Sequence, residues 1–250
     1  MGLLRDITEQ PLCGGFMKSL LKKMLLFALA LALLVPFAAC KKQEENPDDG
    51  KKPSDDDPPD YVAGEGQVPG SELTWEMRTN GTLYLRGTGA MPDFDFKSVE
   101  DSDIPWTAYL QGNIDTTLMI KKLVVEEGVT SIGENAFYGC KQLAEVVLPA
   151  SLTEIGYNAF VSCRQLTKVG GGIGVRVIAE NAFSGCTSLN TFSVSPALEE
   201  VRVGAFAGCR TLTLLVTGNE EEWKKALGVM IIGEGNDAFS KATAKYYAVK

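Results

Sequence analysis

The dipeptide Ala-Phe recurs at residues 136–137, 159–160, 182–183 and 205–206, a constant step of 23 residues. Five further columns keep that step. They are Cys140, Cys163, Cys186 and Cys209; Leu143, Leu166, Leu189 and Leu212; Ile132, Ile155, Ile178 and Val201; Val129, Leu152, Val175 and Leu198; and Val146, Val169, Phe192 and Leu215. Six columns in one register mark a repeat array in which each unit stacks on the unit before it. One coil cannot bury its apolar edge alone, whereas stacked coils share a continuous core. Coils about 4.8 Å apart let parallel strands hydrogen-bond down the stack.

Each unit reads as Cys-x-x-Leu-x-x-Val, a turn, then Val-x-x-Ile-Gly-x-x-Ala-Phe. Residues 143–148 alternate as a strand does, and 129–132 suit a second, shorter one. Residues 135–140 are too few for a regular helix and predict a helical or 3₁₀ turn. Gly139, Gly185 and Gly208 close that turn, as a glycine after a helical turn does. In the third unit Gly170-Gly171-Gly172 replaces the strand end and proline, which predicts a surviving coil with a distorted strand edge.

The ends of a stack need caps. Residues 65–120 are read as the amino-terminal one: residues 73–77 and 82–86 alternate around Thr79-Asn80-Gly81, a hairpin cue. Residues 121–217 hold four repeats, and 218–250 the carboxyl cap. There, residues 220–227 form a short amphipathic helix with acidic residues first and lysines later, as the helix dipole prefers. Residues 229–232 and 246–249 are read as further strands. Ala238-Phe239 breaks the step and is not counted as a repeat.

The phrase Val-Thr-Ser-Ile-Gly-Glu-Asn-Ala-Phe-Tyr-Gly-Cys, residues 129–140, resembles the BspA-like group of leucine-rich repeats. The hairpin, glycine turn and Ile104-Pro105-Trp106 also resemble what precedes such repeats. The resemblance covers residues 121 to about 217. It implies a β-rich (α/β-type), right-handed leucine-rich-repeat solenoid with a β-hairpin amino-terminal cap and a short helix-containing carboxyl cap. It also implies adhesion to host or neighbouring-cell proteins.

Ahead of the repeats lie Lys18, Lys22 and Lys23, then an apolar run over residues 24–39 interrupted by Pro36. A basic segment, a short apolar run and small residues before the cut make a secretory signal. The run is short of the roughly 20 residues of a spanning helix. Ala38-Ala39-Cys40 resembles the lipobox of bacterial lipoproteins, which implies acylation of Cys40 after cleavage, with Phe37 in place of the usual Leu. Residues 17–39 are therefore read as the signal. Residues 1–16, with Asp6 and Glu9, are read as an upstream extension of a chain whose translation starts at Met17. Residues 40–64 carry almost nothing apolar and are read as a disordered acidic tether. That stretch also resembles the export tags of surface lipoproteins of some Gram-negative anaerobes; a plain spacer fits it equally.

The chain has no histidine. That removes the commonest general base and metal ligand and every Ser-His or Cys-His pairing. A net charge of −8 disfavours nucleic acid. The repeat cysteines sit one per coil, along a line, whereas a metal needs ligands converging on a point. They are read as small buried hydrophobes, reduced and metal-free. Glu126-Glu127 and Glu220 to Glu222 are read as solvated charge. No cofactor, metal or small-molecule substrate is expected, and the chain is read as non-catalytic.

Binding then falls to the outer strand face. Its expected rows are Lys122, Glu145, Lys168, Thr191 and Leu214, beside Val124, Val147, Gly170, Ser193 and Val216. The reading is a lipoprotein at the outer membrane surface whose solenoid binds proteins. A structural envelope role without external ligand, and a glycan-binding accessory, are the alternatives; strand-face aromatics would favour the last, and the two rows hold none.

Overall fold

The computed structural model describes residues 60–95, 104–108 and 120–248. The segments read as upstream extension, signal, acylated Cys40 and most of the tether lie outside the described residues.

The hairpin forms where Asn-Gly placed it, between β2 (Thr74–Arg78) and β3 (Thr82–Arg86). Gly81 takes a positive φ of 88°, and Thr82 N–H donates to Asn80 Oδ1 at 2.8 Å. β1 (Val62–Gln67) adds antiparallel to β2. It begins inside the stretch read as tether, because Ala63 packs against the core and Tyr61 and Thr79 exchange hydrogen bonds at the strand's start.

From β3 onward one sheet is parallel and gains a strand per coil: β5 (Lys122–Val125), β7 (Glu145–Leu148), β9 (Lys168–Gly171), β11 (Thr191–Val194), β13 (Thr213–Thr217) and β15 (Thr243–Tyr247). A second parallel sheet is built from short strands: β4 (Gly89–Ala90), β6 (Val129–Ile132), β8 (Glu154–Ile155), β10 (Val177–Ile178), β12 (Glu200–Val201) and β14 (Ile231–Ile232). The two sheets enclose the apolar columns.

The Ala-Phe segments form turns, as their length dictates. Asn135, Asn158 and Asn181 hold φ of 57°, 54° and 57°; asparagine is among the few non-glycine residues that enter this region readily. Gly139, Gly185 and Gly208 hold φ of 71°, 75° and 75°, with Ser162 at 62° in the same place of the second coil.

The phenylalanines stack ring on ring down the core. Phe137–Phe160, Phe160–Phe183 and Phe183–Phe206 have centroids 5.2, 5.1 and 5.4 Å apart. The stack extends past both expected ends. Trp106, on α1 (Pro105–Ala108), lies 5.1 Å from Phe137, and Phe239, on α3 (Asp237–Ser240), lies 5.2 Å from Phe206.

Ala238-Phe239 is therefore the turn of a further coil, against the sequence reading. The coil is lengthened by α2 (Glu220–Leu227), which buries Trp223 and Ala226 and carries a capping box from Asn219 and Glu222. Buried Asn236 completes it: its Oδ1 accepts from Phe206 N–H at 2.9 Å, where Ala159, Ala182 and Ala205 offer backbone carbonyls to the three preceding phenylalanines. Of the strand read at 229–232 only Ile231–Ile232 forms β14, Val229 and Met230 closing onto the Ala226 carbonyl, and the strand read at 246–249 is β15, which starts earlier, at Thr243, and ends at Tyr247.

The third coil is distorted where its glycines are. β7 and β9 pair over four residues, β9 and β11 over two. Gly171 holds φ 76°, and a Cβ there would sit 2.0 Å from the Leu148 carbonyl oxygen. A shallow crevice beside this edge is lined by Gly172, Val175, Phe192 and Leu198.

Candidate binding face

Parallel pairing in register sets each strand-face side chain beside its counterpart one coil away. Lys122 pairs with Glu145 and Glu145 with Lys168. Both lysine Nζ atoms reach the Glu145 carboxylate, at 3.3 and 3.2 Å. Burial opposes ionisation of Glu145, but Lys168 and Lys122 outweigh it and hold the carboxyl below its usual range. The row continues through Thr191 to Thr213 and Thr243.

Leu214 and Val216 are not on this face. Both are buried, and Thr213 and Leu215 take the expected outward places. One residue, Asn190, separates Leu189 from Thr191, but Thr213 follows Leu212 directly, so the strand starts a residue early. A one-residue shift sends every side chain of a strand to the other side.

The second row runs Tyr84, Val124, Val147, then Gly170, Ser193, Leu215 and Lys245. Ser193 holds its place in the row beside Leu215 but is buried, so it is not part of the exposed face. Tyr84 brings an aromatic that the sequence rows lacked, because it lies in the hairpin, outside the repeat. Arg86 lies 4.9 Å and Arg78 5.9 Å from the Tyr84 ring centroid. Arg86 also bonds Glu76 and Glu126, each at 2.7 Å. Burial disfavours the Glu76 carboxylate, but Arg86 and Arg78 hold its pKa below the usual range. The face thus carries a partly buried row with Tyr84, Val124, Val147 and Leu215, beside a Lys-Glu-Lys ladder and, at its amino end, an Arg-Glu cluster.

Two further acidic residues, Glu127 and Glu220, have structural partners. Glu127 accepts from Ala150 and Ser151 N–H at 2.7 and 3.1 Å, which lowers its pKa. Glu220 pairs with Lys224 at 2.6 Å.

The four repeat cysteines are free. The thiols of Cys163, Cys186 and Cys209 donate to the carbonyls of Phe137, Phe160 and Phe183, one coil back, at 3.2, 3.1 and 3.3 Å. Burial raises the Cys163 pKa, with Cys140 and Cys186 adding to it. Cys209 is only partly buried, against expectation, because it lies near the end of the column; burial still pushes it up to about 12.

The second sheet carries a feature the sequence reading missed. A cleft of about 360 Å³ is lined by Asp93, Glu134, Glu154, Glu180, Tyr157 and Arg202. Burial and the carboxylates of Asp93, Glu180 and Glu154 raise the pKa of Glu134. Arg202 answers Glu200 at 3.1 Å and Glu180 at 3.7 Å. The available signal was the site after Ile-Gly or Ile-Ala in successive units: Glu134, Tyr157 and Glu180. Among the described residues no group of three or more acidic or cysteine side chains is placed to hold a metal ion.

Residues 115–225 match the family described as BspA type leucine rich repeat region, in six copies, where the exact step gives four. Among solved structures, a leucine-rich repeat protein from Bacteroides ovatus is 24% identical, covering 72% of this chain and 40% of its own, with a TM-score of 0.37. One from Eubacterium ventriosum is 15% identical, covering 76% and 73%, with a TM-score of 0.37. A leucine rich cell surface protein from Faecalibacterium prausnitzii is 19% identical, covering 77% and 56%, with a TM-score of 0.33. The chain thus spans two fifths of the Bacteroides protein's length. No curated protein sequence matches it.

Proposed function

Because residues 115–225 are a BspA-type leucine-rich repeat region, we propose that the chain is an exported lipoprotein whose solenoid binds macromolecules through its strand face, without catalysis. Cys40 is the anchor: acyl chains on a residue that closes a basic-then-apolar signal hold a protein to a membrane, and more than one chain is needed to hold it firmly. The acidic segment after it lifts the solenoid toward partners outside the cell. The partners are host or neighbouring-cell proteins, and the site of action is the outer membrane surface.

The observation that carries binding is the strip of Tyr84, Val124, Val147 and Leu215 beside the Lys-Glu-Lys ladder and the Arg-Glu cluster. Apolar side chains that stay partly open to solvent along a rigid sheet give a partner apolar area to cover. A glycan is the second reading, supported by the Tyr84 ring on this face.

Two measurements test the proposal. Fatty-acid labelling in cells should mark the parent chain and not Cys40→Ala; equal labelling of both overturns the anchor. The purified chain, offered extracellular-matrix proteins and glycans in parallel, should retain one class selectively. Retention of neither class overturns the binding role and leaves the envelope role.

A further inference from the structure

We infer that the nine-stranded sheet continues from one copy of the chain to the next, β15 of one pairing with β1 of another, head to tail. β1 and β15 are the two edges of that sheet among the described residues. Edge strands present a row of unpaired backbone groups, a template for another strand. β1 is antiparallel to β2, β2 is antiparallel to β3, and β3 runs parallel to every later strand. β1 and β15 therefore point the same way. A second copy translated along the stack offers β15 a parallel strand, as a further coil would.

Side chains agree with this pairing. Glu65 lies in the outer row, beside Glu76 and then Tyr84; Lys245 ends the same row at the other edge, beside Leu215. Extending the row across two copies sets Lys245 next to Glu65. The inward positions then place Tyr246 beside Gly66 and Ala244 beside Gly64. Tyr246 is 38% exposed. Gly66 has no side chain, and the Trp75 indole lies across it, 2.9 Å from where a Cβ would be, so a bulky ring meets a flat aromatic floor.

Exposed apolar side chains gather at the same ends. Tyr61 precedes β1 and Val62 opens it, and at the other end of the stack Val229 and Ile231, before and in β14, are 82% and 66% exposed. Opposite charge and matched size thus meet in one register, with exposed apolar surface at both ends of the stack. The self-paired alternative, β15 against β15, uses none of the β1 features. A head-to-tail contact does not close on two copies, so it builds rings or open chains.

The test is sedimentation of the full chain in detergent, with micelles in large excess, over a range of concentrations. The parent should grow in mass with concentration, past the dimer. Glu65→Lys alone sets Lys against Lys, and Lys245→Glu alone sets Glu against Glu; each should weaken association about tenfold. An equimolar mixture of the two variants restores an opposite pair at every contact and should recover the parent's assembly. A parent that stays monomeric, one that stops at the dimer, or a mixture no better than its components each overturns the inference.

Discussion

The rings of Phe160 and Phe183 lie 4° from parallel with centroids 5.1 Å apart. That separation is close to the spacing of neighbouring strands, so ring stacking and strand pairing advance in step. Each side chain fills the place its counterpart left one coil earlier. Both rings are fully buried.

Removing the Phe160 ring opens a gap in the stack, taking one of two stacking partners from each of Phe137 and Phe183. Phe160→Ala should cost about 3–5 kcal/mol, a large part of a domain's net stability. A chemical denaturation series reads it. A midpoint equal to the parent's would mean the column does not hold the stack together.

Ser162 holds φ 62° where three other coils have glycine. A side chain in that region costs about 1–2 kcal/mol, and Ser162→Gly should recover part of it, moving the melting temperature up by a few degrees. Gly185→Val should do the reverse, since a β-branched residue at φ 75° is strained. A drop in stability for Ser162→Gly would show that its side chain contributes more than its backbone strain.

The thiols set a pH limit. An unfolded cysteine titrates near about 8.5, while burial in the fold pushes Cys209 up to about 12. The folded chain keeps a proton that the unfolded chain releases. Stability is therefore whole below about pH 8.5 and declines as pH rises toward 12. Cys209→Ala should flatten that decline between about pH 8.5 and 11. Denaturation without reductant should expose all four repeat thiols to a labelling reagent; a requirement for reductant would mean cross-linked coils.

The columns were legible because stacking forces the same residue type onto the same place in every coil. What escaped the sequence are departures from that period. The first ring is a tryptophan, Trp106, and the last phenylalanine, Phe239, lies beyond the inserted helix α2, so neither keeps the step. The early start of β13 is invisible to a periodic search, because Leu212 keeps its column and only the residue after it is missing. That slip moved Leu214 and Val216 from the expected face into the core. The cleft escaped because Glu134, Tyr157 and Glu180 differ in type, and only the fold brings Asp93 and Arg202 beside them.

The claim that the strand face is the binding surface is tested by charging each side of the solenoid in turn. Val147→Glu places a carboxylate in the apolar strip, and Glu180→Lys reverses a charge in the cleft of the second sheet. With the retained macromolecule as probe, Val147→Glu should weaken binding by at least about tenfold, equal to 1.4 kcal/mol, with an unchanged melting temperature, while Glu180→Lys binds as the parent does. Full binding by Val147→Glu together with loss in Glu180→Lys would move the site to the second sheet and contradict the account.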